Sequence, residues 1–138
     1  MTFSEAMTYI QGYQKSGKPV HDLSRIQALL EALGNPQEQL QVVHIAGTNG
    51  KGSVTAFCAG AATAAGFRTG TLTSPFIRHY TDRIQIDGRD IPPEALCRFC
   101  EQVQACPVSQ DCSQFEITFA IALLWFCLLY TSPSPRDR

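Results

Sequence analysis

Residues 42–53 read Val-Val-His-Ile-Ala-Gly-Thr-Asn-Gly-Lys-Gly-Ser, and this run constrains the fold more than any other part of the chain. The β-branched residues Val42, Val43 and Ile45 predict a strand that stops at Gly47. A glycine-rich loop with one lysine follows, and a helical pattern starts at Ser53. Strand, glycine loop with lysine, then helix is an arrangement that cradles the phosphates of a nucleotide. Gly47 and Gly50 permit backbone angles closed to other residues, so successive N–H groups can converge on one anion. Lys51 adds a point charge, and the positive end of the following helix points at the same spot.

The common phosphate-loop pattern has Gly, four residues, then Gly-Lys-Ser/Thr. Counting back from Gly50 puts Ile45 where its first glycine would stand. The loop here is shorter: Gly47-x-x-Gly50-Lys51, then Gly52 and Ser53. Around it the chain predicts an α/β fold. Thr2-x-x-Glu5 has the form of a capping box, opening a helix to about Gln11. A second helix starts near Asp22 with Leu23, Ile26, Leu29, Leu30 and Leu33 on one face, and Gly34-Asn35-Pro36 stops it. Strand 40–46, the loop, a helix from Ser53 to about Ala65 and strand 67–73 make a βαβ unit, for which parallel pairing is the default. Arg83 to Ile86 alternates, and Asp87-Gly88 signals a hairpin turn. Helices follow from Pro92 to about Gln104 and from Phe115 to about Phe126, the last apolar nearly all round and so interior.

The bulk properties exclude more than they assign. A length of 138 residues suffices for one domain with a core. With 11 basic and 12 acidic side chains, net charge −1, nothing suggests a polyanion-binding surface, so nucleic acid is not an expected partner. No secretory signal is visible at the N-terminus, and the run from Ile117 to Tyr130 falls short of the ~20 residues of a membrane helix. Cys97, Cys100, Cys106 and Cys112 could suggest zinc or disulfides, but Cys97 and Cys100 sit in a helical pattern where cysteine acts as a small hydrophobe. Reduced cytosolic thiols are the expectation for all six cysteines. His44, in the expected buried strand, reads as a core histidine. From Leu128 the sequence Leu-Leu-Tyr-Thr-Ser-Pro-Ser-Pro-Arg-Asp-Arg loses all periodicity and reads as a flexible terminus or as translated adapter sequence rather than native protein. The expected native part is 1–127, with 128–138 set aside as a tail.

The full string Ala46-Gly-Thr-Asn-Gly-Lys-Gly-Ser53 resembles the ATP loop of the Mur ligase superfamily, and within it the folylpolyglutamate synthase and dihydrofolate synthase family. Gly52 favours the folate branch over the cell-wall branch. The resemblance runs from about Tyr9 to Phe126. It includes the helix ending Gly34-Asn35-Pro36-Gln37, an Ω-loop at Thr73-Ser74-Pro75-Phe76, Asp82-Arg83-Ile84, and Gln114-Phe115-Glu116-Ile117-Thr118.

The resemblance implies a P-loop-type parallel sheet flanked by helices, the N-terminal part of a Mur-ligase-like ATP-binding domain. It implies an ATP- and Mg²⁺-dependent ligase that joins L-glutamate to folate or dihydropteroate through an acyl phosphate, working as a cytoplasmic monomer when complete. Gly47, Thr48, Asn49, Gly50, Lys51, Gly52 and Ser53 match the phosphate loop, with Lys51 also the expected catalytic residue. Ser53 could instead be a plain N-cap. Ser74 matches the serine that ligates Mg²⁺; from chemistry alone, Ser-Pro here would simply end a strand. Ser113, Gln114, Phe115 and Glu116 match the loop that contacts the pteroate. Glu116 could equally be a first-turn residue favoured by the helix dipole, and Phe76 could stack on the pterin or pack. The later Glu-Val-Gly-Leu-Gly-Gly strand, the metal-binding histidine and the C-terminal domain of the family have no counterpart here, so the expectation is about a third of an enzyme, inactive alone. Two readings compete with this one: another Mur-type amino-acid ligase, and a nucleotide-binding module without chemistry.

Overall fold

The computed structural model describes residues 1–13, 23–45, 50–73 and 78–131. In chain order its elements are α1 (Phe3–Gln11), α2 (Ser24–Ala32), α3 (Lys51–Ala64), β1 (Gly70–Leu72), β2 (Ile84–Ile86), β3 (Arg89–Asp90), α4 (Pro93–Gln104) and α5 (Gln114–Thr131). Short 3₁₀ turns stand at Pro36–Gln39, Tyr80–Arg83 and Pro107–Asp111. The chain is α/β and divides into two compact units: Met1–Leu40 with everything from Pro93, and Gln41–Pro92.

The first unit is helical. Its α1 opens on the expected capping box: Thr2 Oγ1 accepts the Glu5 N–H at 3.1 Å, and Glu5 Oε1 accepts the Thr2 N–H at 3.1 Å. These two bonds hold the Glu5 carboxyl below the usual glutamate range. In α4 the spacing of Leu96, Phe99, Cys100 and Val103 makes one buried stripe, facing α1 and α5. At the centre lies α5, with every residue from Ala120 to Trp125 buried, as its all-round apolar pattern predicts. Burial pushes the Cys100 thiol up to about 12 and the Cys112 thiol up to about 11, and all six cysteines are free thiols. Gly34 and Asn35 both take positive φ (90° and 54°), which ends α2 where the sequence places its stop. The tail expected from Leu128 begins inside α5, which runs to Thr131.

The second unit departs from expectation. Its sheet is antiparallel in the order β1-β2-β3, with Thr71 opposite Gln85 and Ile86 opposite Arg89. The hairpin turn is as predicted: Asp87 and Gly88 take φ of 51° and 80°, the paired positive angles of a type I′ turn. Asp87 Oδ1 also accepts the Thr69 N–H at 2.9 Å. The parallel βαβ pairing is not formed among the described residues. Residues 41–45 carry no strand pairing, and Val42 and Val43 are 70% and 84% exposed. The strand expected over 67–73 shrinks to β1, with Phe67 exposed. The physical reason is that an all-apolar parallel strand needs a ladder partner and cover on both faces, and none of the described residues supplies them to 41–45. His44 is accordingly exposed, not a core histidine.

Candidate functional site

Two places carry the expected residues, and each belongs to one unit. The first is the start of α3. Gly50 holds φ at +78°, the left-handed region that favours glycine, and its carbonyl accepts the Val54 N–H at 3.0 Å. The helix starts at Lys51, two residues ahead of the expected Ser53, so Ser53 lies inside the first turn and is not the N-cap. The backbone N–H groups of Lys51, Gly52 and Ser53 therefore belong to the first turn, where helical donors have no partner within the helix. Lys51 is exposed, and among the described residues no carboxylate pairs with it. The geometry presents open donors, a cation and the positive end of a 14-residue helix in one place. Phosphate oxygens fit this set. Gly47, Thr48 and Asn49 lie outside the described residues, as do Ser74 and Phe76.

Arg83 was not singled out as a site residue, yet it is buried (6% exposed) and holds Thr73, the residue before Ser74, from two sides. The Arg83 carbonyl accepts the Thr73 N–H at 2.9 Å, and Arg83 Nε donates to the Thr73 carbonyl at 3.1 Å. Its guanidinium lies 5.6 Å from the centre of the Tyr80 ring. A buried arginine bonded to a backbone carbonyl has no signature in sequence beyond its place in Asp82-Arg83-Ile84.

The second place is the start of α5. Ser113 Oγ accepts the Glu116 N–H at 3.2 Å and Glu116 Oε1 accepts the Ser113 N–H at 2.8 Å, a reciprocal cap. The same Glu116 oxygen lies 3.2 Å from Arg25 Nη2, so the carboxylate is shared between helix cap and ion pair. The other two expected residues diverge. Gln114 turns into the core and donates to the Ile10 carbonyl at 3.3 Å, while Phe115 is 46% exposed and stacks on Phe119. Beside Ser113 is a pocket of about 450 Å³, lined by Gly12, Tyr13, Arg25, Asp111, Cys112 and Ser113 among others. Tyr13 follows the Gly12 cap of α1 and Arg25 is a single charge on amphipathic α2, so neither carries a sequence signal for this pocket. Behind the pocket the Tyr13 hydroxyl donates to the Tyr9 hydroxyl at 3.0 Å, and Tyr9 lies 3.3 Å from Ser109 Oγ. Burial pushes the Tyr9 hydroxyl well above the usual phenol range. A second open hollow of similar volume, lined by Met1, Phe3, Pro93, Glu94 and Arg98, holds none of the expected residues.

Among the described residues no group of three or more His, Cys, Asp or Glu side chains could hold a metal ion, and no helix is long and apolar enough to cross a membrane.

No protein-family profile matches the chain. Individual proteins do. It is 39% identical over 120 residues to folylpolyglutamate synthase of Lacticaseibacillus casei, covering 86% of this chain and 28% of that protein. It is 35% identical over 131 residues to dihydrofolate synthase/folylpolyglutamate synthase of Bacillus subtilis, covering 90% of this chain and 30% of that one. A solved FPGS–AMPPCP–folate complex superimposes with a TM-score of 0.86 at 35% identity, over 94% of this chain and 33% of its own. By fold and by sequence, the chain is similar to part of these synthases. More narrowly, the chain is homologous to the folylpolyglutamate and dihydrofolate synthases, as the glycine loop and its companions predict, and it spans about a third of their length.

Proposed function

We propose that this chain is the phosphate-binding and pteroate-binding part of an ATP-dependent ligase that adds L-glutamate to folate, to dihydropteroate, or to both. The observation that carries the reading is the left-handed Gly50 leading into Lys51 at the start of α3, in a chain homologous to these synthases along most of its length. In the reaction, a carboxylate of the folate attacks the γ-phosphate of ATP and displaces ADP. The resulting acyl phosphate is then opened by the amine of glutamate, forming an amide and releasing phosphate. Lys51 and the first-turn N–H groups neutralise charge that builds on the transferring phosphoryl group. The remaining loop residues Gly47, Thr48 and Asn49 complete the cradle. When bound, Mg²⁺ would be held by Ser74 and would supply further charge neutralisation. Ser113 and Glu116 shape the pocket that takes the pteroate.

In the complete enzyme the strand expected at 40–46 joins a parallel sheet, which accounts for the exposure of Val42 and Val43. The chain alone is inactive; the complete protein is a cytoplasmic monomer whose partners are small molecules. The test is the product of an extended reading frame, given ATP, Mg²⁺, folate and glutamate. ADP release that depends on both folate and glutamate supports the reading. Release that ignores both, or none with the loop intact, removes the ligase and leaves a nucleotide-binding module.

A further inference from the structure

We infer that Tyr13 and Arg25 determine what enters the pocket beside Ser113, gripping a flat heteroaromatic ring between a fixed aromatic wall and a held guanidinium. The inference rests on the reading of that pocket as the pteroate site, and it gives the recognition to two residues outside the Ser113–Glu116 segment. Tyr13 is half-buried and its ring meets Tyr9 edge-on, 5.2 Å between centres at 76°. Its hydroxyl is already spent inward on the Tyr9 hydroxyl, which in turn lies against Ser109, itself only 1% exposed. What Tyr13 offers the pocket is therefore its ring, in an orientation fixed at both ends. Aromatic side chains held in this way stack on heterocycles whatever the ring's substituents.

Arg25 is arranged by the same economy. Glu116, 8% exposed, is anchored by the Ser113 N–H and holds Arg25 Nη2 at 3.2 Å. The arginine side chain remains about a third exposed, and it lines the pocket. A planar guanidinium held at one nitrogen by an ion pair can stack or donate to ring acceptors with the others. Glu116 is then a positioning residue that acts through Arg25, while Asp111 on the same wall provides an acceptor for ring N–H groups.

The experiment is a proton NMR titration of the 138-residue chain with pteroate. Bound pteroate should show its pterin ring proton shifted upfield by the Tyr13 ring current. Tyr13→Leu should abolish that shift and weaken binding about tenfold. Tyr13→Phe keeps the ring and should retain the shift, with affinity within about threefold of the wild type. Arg25→Gln should weaken binding about tenfold and leave the shift at saturation intact. Pteroate that binds the wild-type chain with no upfield shift overturns the inference while the pteroate reading stands, as does Tyr13→Leu with unchanged shift and affinity. A wild-type chain that fails to bind pteroate removes the pocket reading, and the inference with it.

Discussion

The two units of this molecule use apolar residues in opposite ways. In the helical unit Ile10, Leu29, Leu96, Ile117 and Ile121 are almost wholly buried, and α5 is surrounded by α1, α2 and α4. In the other unit α3 buries no residue at all: Val54 is 49% and Phe57 79% exposed, and Val42, Val43 and Phe67 are exposed with them. Each buried aliphatic side chain contributes about 1.5–3 kcal/mol through loss of its water contact, so the first unit has a closed core of its own. The second displays the apolar surface of a layer awaiting cover. Local pattern is enough to build an amphipathic helix against its neighbours, but a parallel sheet is finished only by strands distant in sequence.

The largest test of this contrast is a pair of truncations. Ile121→Ala in α5 should cost about 2–5 kcal/mol, because it opens a cavity among buried neighbours. Phe57→Ala in α3 should cost less than about 0.5 kcal/mol, because the ring is already in water. Urea unfolding of both variants decides it; equal losses would mean that α3 is packed as firmly as α5. Next in size is Lys51→Ala, which should weaken nucleotide binding by about 1.5–3 kcal/mol, the worth of a charge-assisted hydrogen bond. Its unfolding midpoint should not move, since the side chain is exposed. Thr2→Ala should cost about 1 kcal/mol through loss of the α1 cap, measurable by the same unfolding curves.

Thiol chemistry separates the units without any mutation. Cys58 is exposed on α3, whereas Cys100 and Cys112 are buried among helices. At pH 8 a thiol reagent should modify Cys58 first and leave Cys100 until the helical unit opens. The buried thiols also set a pH dependence. Their folded-state pKa values stand at about 12 and about 11 against an ordinary 9.0. The folded state therefore keeps protons that the unfolded state loses, and this contribution is fully present below pH 9.0. It should fade as pH climbs from there toward the folded values. Unfolding midpoints at pH 8 and at about pH 10.5 should fall in that order; a rise would contradict the burial of Cys100 and Cys112.

Local signals are legible in the sequence. The Thr2–Glu5 cap, the Gly34-Asn35-Pro36 stop, the Asp87-Gly88 turn and the interior character of α5 each depend on residues close in sequence, and each stands in the structure. The strand expected at 40–46 is not formed over its described residues 40–45, because a β-branched run states what a segment can become but not whether a partner is present. At the site, the turn at Gly50 into a helix is visible in the sequence as a glycine before a helical pattern, although the helix starts at Lys51, ahead of the expected Ser53. The Glu116 carboxylate was seen, but not that it is occupied by Ser113 and Arg25. Tyr13 and Arg25 reach the pocket through tertiary packing alone, and no periodicity marks such residues.

The most direct test of the account is a calorimetric titration of the chain with AMPPCP, the wild type beside Lys51→Ala. The account predicts saturable binding by the wild-type chain, at least about tenfold weaker in the variant, with both proteins equally folded. Equal affinity in the two, or no binding by either, would contradict the claim that the turn from Gly50 into α3 is a nucleotide cradle.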